Sequence, residues 1–290
     1  FKKVTFKVTD GYQTIKPIDV TVTITGHKDS VDYNGEEHSV RGYDVEISNP
    51  LYTEEDFTFS GTAEAAQTDV GKKDMDLAEE QFSNTNENFA NVTFVVTDGY
   101  VEVKPIDVTV TITGHYSTDE YDKKEHSVSG YEVTIDSDLY TEEDFTFSGT
   151  AEAKRTEVGT TNMNLAEDQF ENTNSNFGTV TFNVTDGYQT ITPIDVTVTI
   201  IGANSTDDYD GAEHTVTGYT ATFSDPLYTA ADFTFSGTAS ASQTNAGTAN
   251  MGLAAEQFAN TNGNFATVTF NVTDSRLWKP LLQYLRIWSR

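Results

Sequence analysis

Apolar and polar residues alternate one for one along much of this chain. Tyr43, Val45 and Ile47 are separated by Asp44 and Glu46, and Phe57 and Phe59 flank Thr58. Val92, Phe94 and Val96 alternate with Thr93 and Thr97, and Val108, Val110 and Ile112 with Asp107, Thr109 and Thr111. A period of two puts successive side chains on opposite faces of a half-buried strand. Asp98-Gly99 supplies a turn between two such runs, and Pro105 opens the next, where a missing N–H is tolerated. One stretch has helical character. Asp76–Phe82 offers Asp76 as a cap, Glu79 three positions later, and apolar Leu77 and Phe82, and Asn84-Thr85-Asn86 closes it. The pattern predicts a mainly β fold of roughly six or seven strands per unit, with one short helix. Thr- and Val-rich alternation with so little helix fits an Ig-like sandwich or a β-grasp-like sheet, and both stay open.

The pattern recurs. Pro17-Ile18-Asp19-Val20-Thr21-Val22-Thr23-Ile24 returns letter for letter at Pro105 and at Pro193, a period of 88 residues, and Leu51-Tyr52-Thr53 returns at Leu139 and Leu227 with the same period. Solenoid turns take about 20–50 residues. A period of 88 is instead long enough for each unit to bury its own core. The chain therefore divides into the end of a preceding repeat (residues 1–26), units at 27–114 and 115–202, a truncated unit at 203–274, and an aberrant tail at 275–290. Six residues separate Thr113-Gly114 from the next motif at Tyr121, too few for a flexible tether, so neighbouring units should touch and form a semi-rigid, elongated array.

The two ends break the pattern. The chain opens at Phe1 in mid-repeat, as a fragment would. After Thr273-Asp274 the earlier copies continue Gly-Tyr-Gln-Thr-Ile-Thr, whereas this one reads Ser275-Arg276-Leu277-Trp278-Lys279-Pro280. Arg276-Leu277-Trp278 can be encoded CGG-CTA-TGG, which contains the Gly-Tyr codons GGC-TAT one base over. Residues 275–290 are thus expected to be a frame-shift artefact, and Leu281, Leu282, Leu285 and Trp288 are not read as a membrane anchor.

Charge narrows the partners. The chain carries 17 basic and 46 acidic side chains, with net charges of −14 over 27–114, −13 over 115–202 and −4 over 203–290. Such a surface disfavours nucleic acid, anionic membrane and sulfated or sialylated glycans, and favours solubility and divalent cations. No cysteine is present, so disulfides and thiol chemistry play no part. The absence of a signal peptide or membrane span carries little weight in a fragment.

Candidate sites are each matched by a plainer role. Acidic clusters recur near the unit starts: Asp119, Glu120 and Asp122 in one copy, Asp207, Asp208 and Asp210 in the next. Such carboxylates could hold Ca²⁺ at a hinge. No copy completes the Asp-x-Asp-x-Asp-Gly loop with its distant Glu, so solvated turns are the expectation and no cofactor is assigned. His38, His126 and His214, each preceded by Glu, lack a nucleophile at a telling spacing and are expected to pack beneath the turn. Glu54-Glu55-Asp56 becomes Ala230-Ala231-Asp232 in the third copy, leaving only a turn Asp, so no catalytic pair is shared and no enzyme is expected. Ala203–Asp274 contains no lysine, which rules a shared Lys–Asn isopeptide staple out of the design. Tyr33, Tyr52, Tyr100 and Tyr116 could stack on sugar rings, or simply pack.

One ordered series carries a resemblance: Tyr209-Asp210-Gly211, Phe235-Ser236-Gly237-Thr238-Ala239, Ala246-Gly247-Thr248, Asn264-Phe265 and, one copy earlier, Thr185-Asp186-Gly187. It resembles the tandem MBG-type repeats of large bacterial cell-surface proteins, including adhesins of gut Gram-positive bacteria, over residues 1–274. The second unit departs from it at Asp122-Lys123-Lys124, which loses the turn glycine. The resemblance implies an extracellular stalk or spacer whose partners are its neighbouring repeats. The alternative is an array in which each unit binds host mucin or glycan weakly and copy number supplies avidity.

Overall fold

The computed structural model describes residues 1–274. The expected frame-shift tail lies outside the described residues. Residues 1–17 form no regular secondary structure and are exposed throughout.

The first repeat contains β1 (Ile18–Gly26), β2 (Lys28–Asp32), β3 (His38–Arg41), β4 (Tyr43–Ile47), β5 (Phe57–Phe59), β6 (Glu64–Gln67), β7 (Gly71–Asp74), β8 (Phe82–Asn84), β9 (Phe89–Thr97) and β10 (Tyr100–Lys104). The second contains β11 (Ile106–Gly114), β12 (Tyr116–Glu120), β13 (His126–Ser129), β14 (Tyr131–Ile135), β15 (Phe145–Phe147), β16 (Glu152–Arg155), β17 (Gly159–Asn162), β18 (Phe170–Asn172), β19 (Phe177–Thr185) and β20 (Tyr188–Thr192). The third contains β21 (Ile194–Gly202), β22 (His214–Thr217), β23 (Tyr219–Phe223), β24 (Phe233–Phe235), β25 (Ser240–Gln243), β26 (Phe258–Asn260) and β27 (Phe265–Thr273).

Each repeat is mainly β and is assembled from small sheets. In the first, β1 is the centre of β4-β1-β9, antiparallel to β4 and parallel to β9, and β10 is the centre of β2-β10-β7, parallel to β2 and antiparallel to β7. The alternation seen in the sequence sets which face is buried: Val20, Val22 and Ile24 of β1 are at most 3% exposed while Thr21 and Thr23 are not buried. Against them pack Tyr52, Phe57, Phe82, Phe89 and Phe94. Such aromatics bring large apolar area and favour the edge-to-face and offset contacts seen here, such as Tyr52 on Phe89 at 4.9 Å and 84°. The antiparallel pairs β3–β6 and β5–β8, each joined through intervening strands, complete the repeat.

The pairing sets the phase of the repeat. The sequence period assigned Ile18–Gly26 to the unit before His27, yet this strand is the centre of the sheet that follows it. Ile106–Gly114 and Ile194–Gly202 hold the same place in the sheets β14-β11-β19 and β23-β21-β27. A period fixes the length of a repeat but not its starting point, so the folded repeat begins one strand ahead of His27. The chain divides into two compact units, residues 1–111, 133–148 and 170–183, and residues 112–132, 149–169 and 184 onward.

The stretch expected to be helical behaves differently. Only Glu79–Gln81 turns, as a single 3₁₀ turn, and a second such turn forms at Glu54–Asp56. Asp76 lies at φ 61°, the left-handed region, and does not cap a helix. Its N–H and that of Leu77 donate instead to the Asp98 carboxylate, at 3.1 and 3.0 Å. No α-helix forms among the described residues, so the helix that a β-grasp sheet would enclose is not there, and the stacked small sheets fit the sandwich-like alternative.

Candidate functional site: the repeat junctions

A polar knot lies at the base of each repeat. Tyr140, 2% exposed, donates from its hydroxyl to the Asp144 backbone carbonyl and to Asn172 Oδ1, each at 3.0 Å. Asp144 Oδ2 accepts from Thr141 N–H and Oγ1, closing the 3₁₀ turn, while its Oδ1 accepts from Asn174 Nδ2 at 2.8 Å. The same set recurs as Tyr52, Asp56, Asn84 and Asn86, and as Tyr228, Asp232, Asn260 and Asn262. The Thr53 backbone N–H and then the Asn86 amide hold Asp56 below the usual carboxylate range. Burial pushes Asp144 and Asp232 up, but the bonds from Asn174 and Asn262 and from the turn threonines outweigh it. Burial also pushes the Tyr140 and Tyr228 phenols up to about 12.

The knot runs on into the junction through a ladder of asparagines. Asn172 Oδ1 accepts the N–H of Asn174, and Asn174 Oδ1 accepts that of Asn176, two residues on each time. This turn geometry presents the Asn176 amide outward as a fork. Its Oδ1 accepts the Val70 N–H at 2.8 Å and its Nδ2 donates to Asp69 Oδ1 at 3.0 Å. Tyr33 packs edge-on against Phe177 at 5.7 Å, and its N–H donates to the Lys104 carbonyl.

The second junction repeats the first. Asn264 Oδ1 accepts the Val158 N–H at 2.9 Å, and its Nδ2 donates to Glu157. Tyr121, 5% exposed, meets Phe265 at 5.7 Å. Tyr121 and Ile191 belong to the same buried cluster as Val196, Val198 and Tyr228, so apolar packing continues through Pro193. Where the turn glycine is lost, Lys123 adopts φ 67° and donates through Nζ to the Leu227 carbonyl at 2.7 Å. Its side chain thereby adds a contact that Gly35 and Gly211 lack the atoms to make.

Four of the six carboxylates named as calcium candidates are engaged by groups of their own repeat. Asp119 accepts from Ser117 Oγ and Gln189 Nε2, and Asp122 from His126 Nε2, the Lys124 N–H and Lys124 Nζ. Asp210 accepts from the Ala212 N–H and His214 Nε2, and Asp207 from Ser205 Oγ. His126 and then Lys124 hold Asp122 well below the usual carboxylate range. Glu120 and Asp208 are exposed. Among the described residues no three His, Cys, Asp or Glu side chains converge as a metal site. The recurring histidines bond the residue four positions earlier, His38 to Asn34 at 2.9 Å for example, and not the preceding Glu.

The tyrosines divide. Tyr52 is buried and its hydroxyl is spent in the knot, so it presents no face to a sugar. Tyr33 is covered in part by Phe177, and Tyr100 faces the Lys72 ammonium at 4.3 Å. Tyr116, 69% exposed, stacks on Tyr188 at 5.4 Å. The junction asparagines were not singled out from sequence. Their signal was an Asn at every second position before Phe in all three copies, as in Asn172-Thr173-Asn174-Ser175-Asn176-Phe177. No helix among the described residues is long and apolar enough to cross a membrane. No protein-family model matches the sequence, and no curated protein matches it.

Proposed function

We propose that this chain is a tension-carrying spacer, a run of stalk repeats from a bacterial cell-surface protein of the MBG-like kind, acting outside the cell and without catalytic chemistry of its own. One observation carries the reading. Within a repeat the first and last long strands run parallel and side by side, β1 with β9 from Ile18↔Phe89 to Thr25↔Thr97, and β2 with β10 over five further positions. Parallel strands entering and leaving a repeat point in the same direction. Opposed pulling on the two ends therefore shears all of these hydrogen bonds together instead of peeling them one at a time. The third repeat is built alike, with β21 parallel to β27 from Ile194↔Phe265 to Ile201↔Thr273. Pro105 alone separates β10 from β11, and Pro193 alone separates β20 from β21, so tension would pass from one sheared pair to the next without a loose linker.

The alternative, an array of weak glycan- or mucin-binding sites, would be favoured by an aromatic pocket repeated in each unit. The exposed Tyr116–Tyr188 stack has Lys28 and Tyr100 at the matching place in the first repeat, and Asn204 in the third. That variation favours the spacer.

Single-molecule stretching of the chain from end to end tests the reading. Unfolding should come in discrete high-force steps, each releasing close to one period of 88 residues, about 300 Å of extended chain. Gradual yielding at low force, without steps of that size, would remove the case for a spacer under tension.

A further inference from the structure

Two Asn-Gly pairs occur in the sequence, Asn34-Gly35 and Asn262-Gly263, and the fold holds them in opposite ways. In such a pair no side chain shields the glycine nitrogen from the asparagine Cγ. Asn34 and Gly35 are exposed, in the turn between β2 and β3. Asn34 Oδ1 accepts from the Glu36 N–H and from His38 Nε2, each at 2.9 Å. A backbone N–H only donates, so the atom it meets is the amide oxygen, and the His38 nitrogen facing that oxygen carries a hydrogen. Two donors thus converge on the amide oxygen, while among the described residues nothing bonds the Asn34 amide nitrogen or the Gly35 N–H. Asn262 is the reverse. It is half-buried in the knot of the third repeat, its Nδ2 donates to Asp232 at 2.8 Å, and its Oδ1 accepts the Asn264 N–H alone, at 2.9 Å.

We propose that Asn34-Gly35 is a self-modification site, at which the turn itself promotes loss of the Asn34 amide as ammonia. The Gly35 nitrogen attacks Asn34 Cγ, and the amide oxygen takes on negative charge between the Glu36 N–H and the His38 Nε2–H, donors aimed where that charge develops. The Cγ–Nδ2 bond then breaks. Ammonia leaves, its third hydrogen replacing the one given up by the Gly35 nitrogen, and a succinimide ring is closed. Water opens the ring at either carbonyl. Breaking the new Cγ–N bond yields an aspartate at position 34 on an unaltered main chain. Breaking the original peptide bond leaves an isoaspartyl link, with the main chain running through Cγ.

The neighbouring copies show that the first product fits. Asp122 and Asp210 stand where Asn34 does, and each accepts from the histidine four residues on, His126 or His214, at 2.9 Å. Each also accepts the N–H two residues on, as Asn34 Oδ1 does from Glu36. An aspartate at position 34 therefore enters a turn already built for one. The isoaspartyl product has no such precedent. It lengthens the main chain next to Tyr33, whose ring packs on Phe177 and whose N–H donates to the Lys104 carbonyl, and so loosens that packing.

Peptide mapping by mass spectrometry of the whole folded chain, incubated at mildly alkaline pH and sampled over time, tests the proposal. The peptide containing Asn34 should gain about one dalton and yield both products, while Asn262 stays unconverted. In denaturant, where neither turn persists, the two pairs should convert at similar rates. His38→Ala removes one donor and should slow conversion of Asn34 in the folded chain about three- to tenfold, with no effect in denaturant. A variant that had lost its fold would instead convert at both pairs at the denatured rate, so loss of the donor and loss of the fold are told apart. Gly35→Lys places a shielding side chain beside the nitrogen, in a turn where the second repeat already holds Lys123 at φ 67°, and should all but stop the reaction. Equal conversion of Asn34 and Asn262 in the folded chain, a rate at Asn34 that His38→Ala leaves unchanged, or full conversion in Gly35→Lys would each overturn it.

Discussion

At the scale of single residues, the recurring Tyr–Asp–Asn–Asn knot does the most with the fewest atoms. In the third repeat the Tyr228 hydroxyl satisfies both the Asp232 carbonyl and Asn260 Oδ1, at 3.0 and 3.1 Å, around a ring only 1% exposed. Tyr228→Phe keeps the packing but takes the hydroxyl donor from the Asp232 carbonyl, while Asn260 Oδ1 keeps the Asn262 N–H at 3.1 Å, so it should cost about 1–3 kcal/mol in chemical denaturation. Preserved stability would show that solvent reaches the Asp232 carbonyl. The aspartate gives the knot a pH signature. Asp56, Asp144 and Asp232 all lie below the ordinary 3.8 in the folded chain. A lowered folded pKa contributes stability that is fully present above the unfolded value and is lost as pH falls toward the folded one. Melting should therefore be insensitive to these groups above about pH 5 and decline below the ordinary carboxylate value. Asn262→Ala, which removes the 2.8 Å bond to Asp232 Oδ1, should flatten that acid limb for the third repeat. An unchanged limb would place its origin in other carboxylates.

At the scale of elements, what the sequence made legible was the strand pattern, and what it hid was phase and proximity. Val108, Val110 and Ile112 alternate in the sequence and are buried in the structure at 2%, 0% and 0%. The alternation says which face is buried but not which sheet, so it left the place of Ile106–Gly114 undetermined. The short helix expected at Asp76–Phe82 shrinks to the one 3₁₀ turn at Glu79–Gln81 for a similar reason: Asp98, 22 residues from Asp76, takes the Asp76 and Leu77 N–H groups that a helix start would leave open. Such distant partners leave no local trace. The junction clasp was half legible, its short linkers visible and its Asn176 and Asn264 forks not. Glycines at the bends carry a further constraint. β11 passes into β12 and β19 into β20 at a point where Gly114 lies against Gly187, and a Cβ on Gly114 would overlap the Gly187 backbone and Leu165. Gly114→Ala should destabilise the second repeat by about 1–3 kcal/mol, because backbone cannot yield as a side-chain tip can. A neutral result would mean the two bends separate at little cost.

At the scale of the whole molecule, charge sets how the repeats share stability. Residues 18–104 carry 19 acidic and 5 basic side chains, 106–192 carry 17 and 4, and 194–274 carry 9 and none. Self-repulsion within a compact body grows steeply with its net charge, so the first two repeats stand to gain more from screening than the third. The few ion pairs are too exposed to offset this; Lys124–Asp122 at 2.9 Å has its lysine 80% exposed. Moderate salt shortens the screening length to about 8–10 Å, less than the span of one repeat, so most of the long-range repulsion should vanish over that range. Hydrogen exchange of the intact chain reads this repeat by repeat, through the central amides of Val22 in β1, Val110 in β11 and Val198 in β21, each 0% exposed. Between low and moderate salt, protection at Val22 and Val110 should rise more than at Val198. An equal rise at all three would mean that the repeats open as one cooperative body, the junctions transmitting stability along the chain; a larger rise at Val198 would overturn the electrostatic ordering itself.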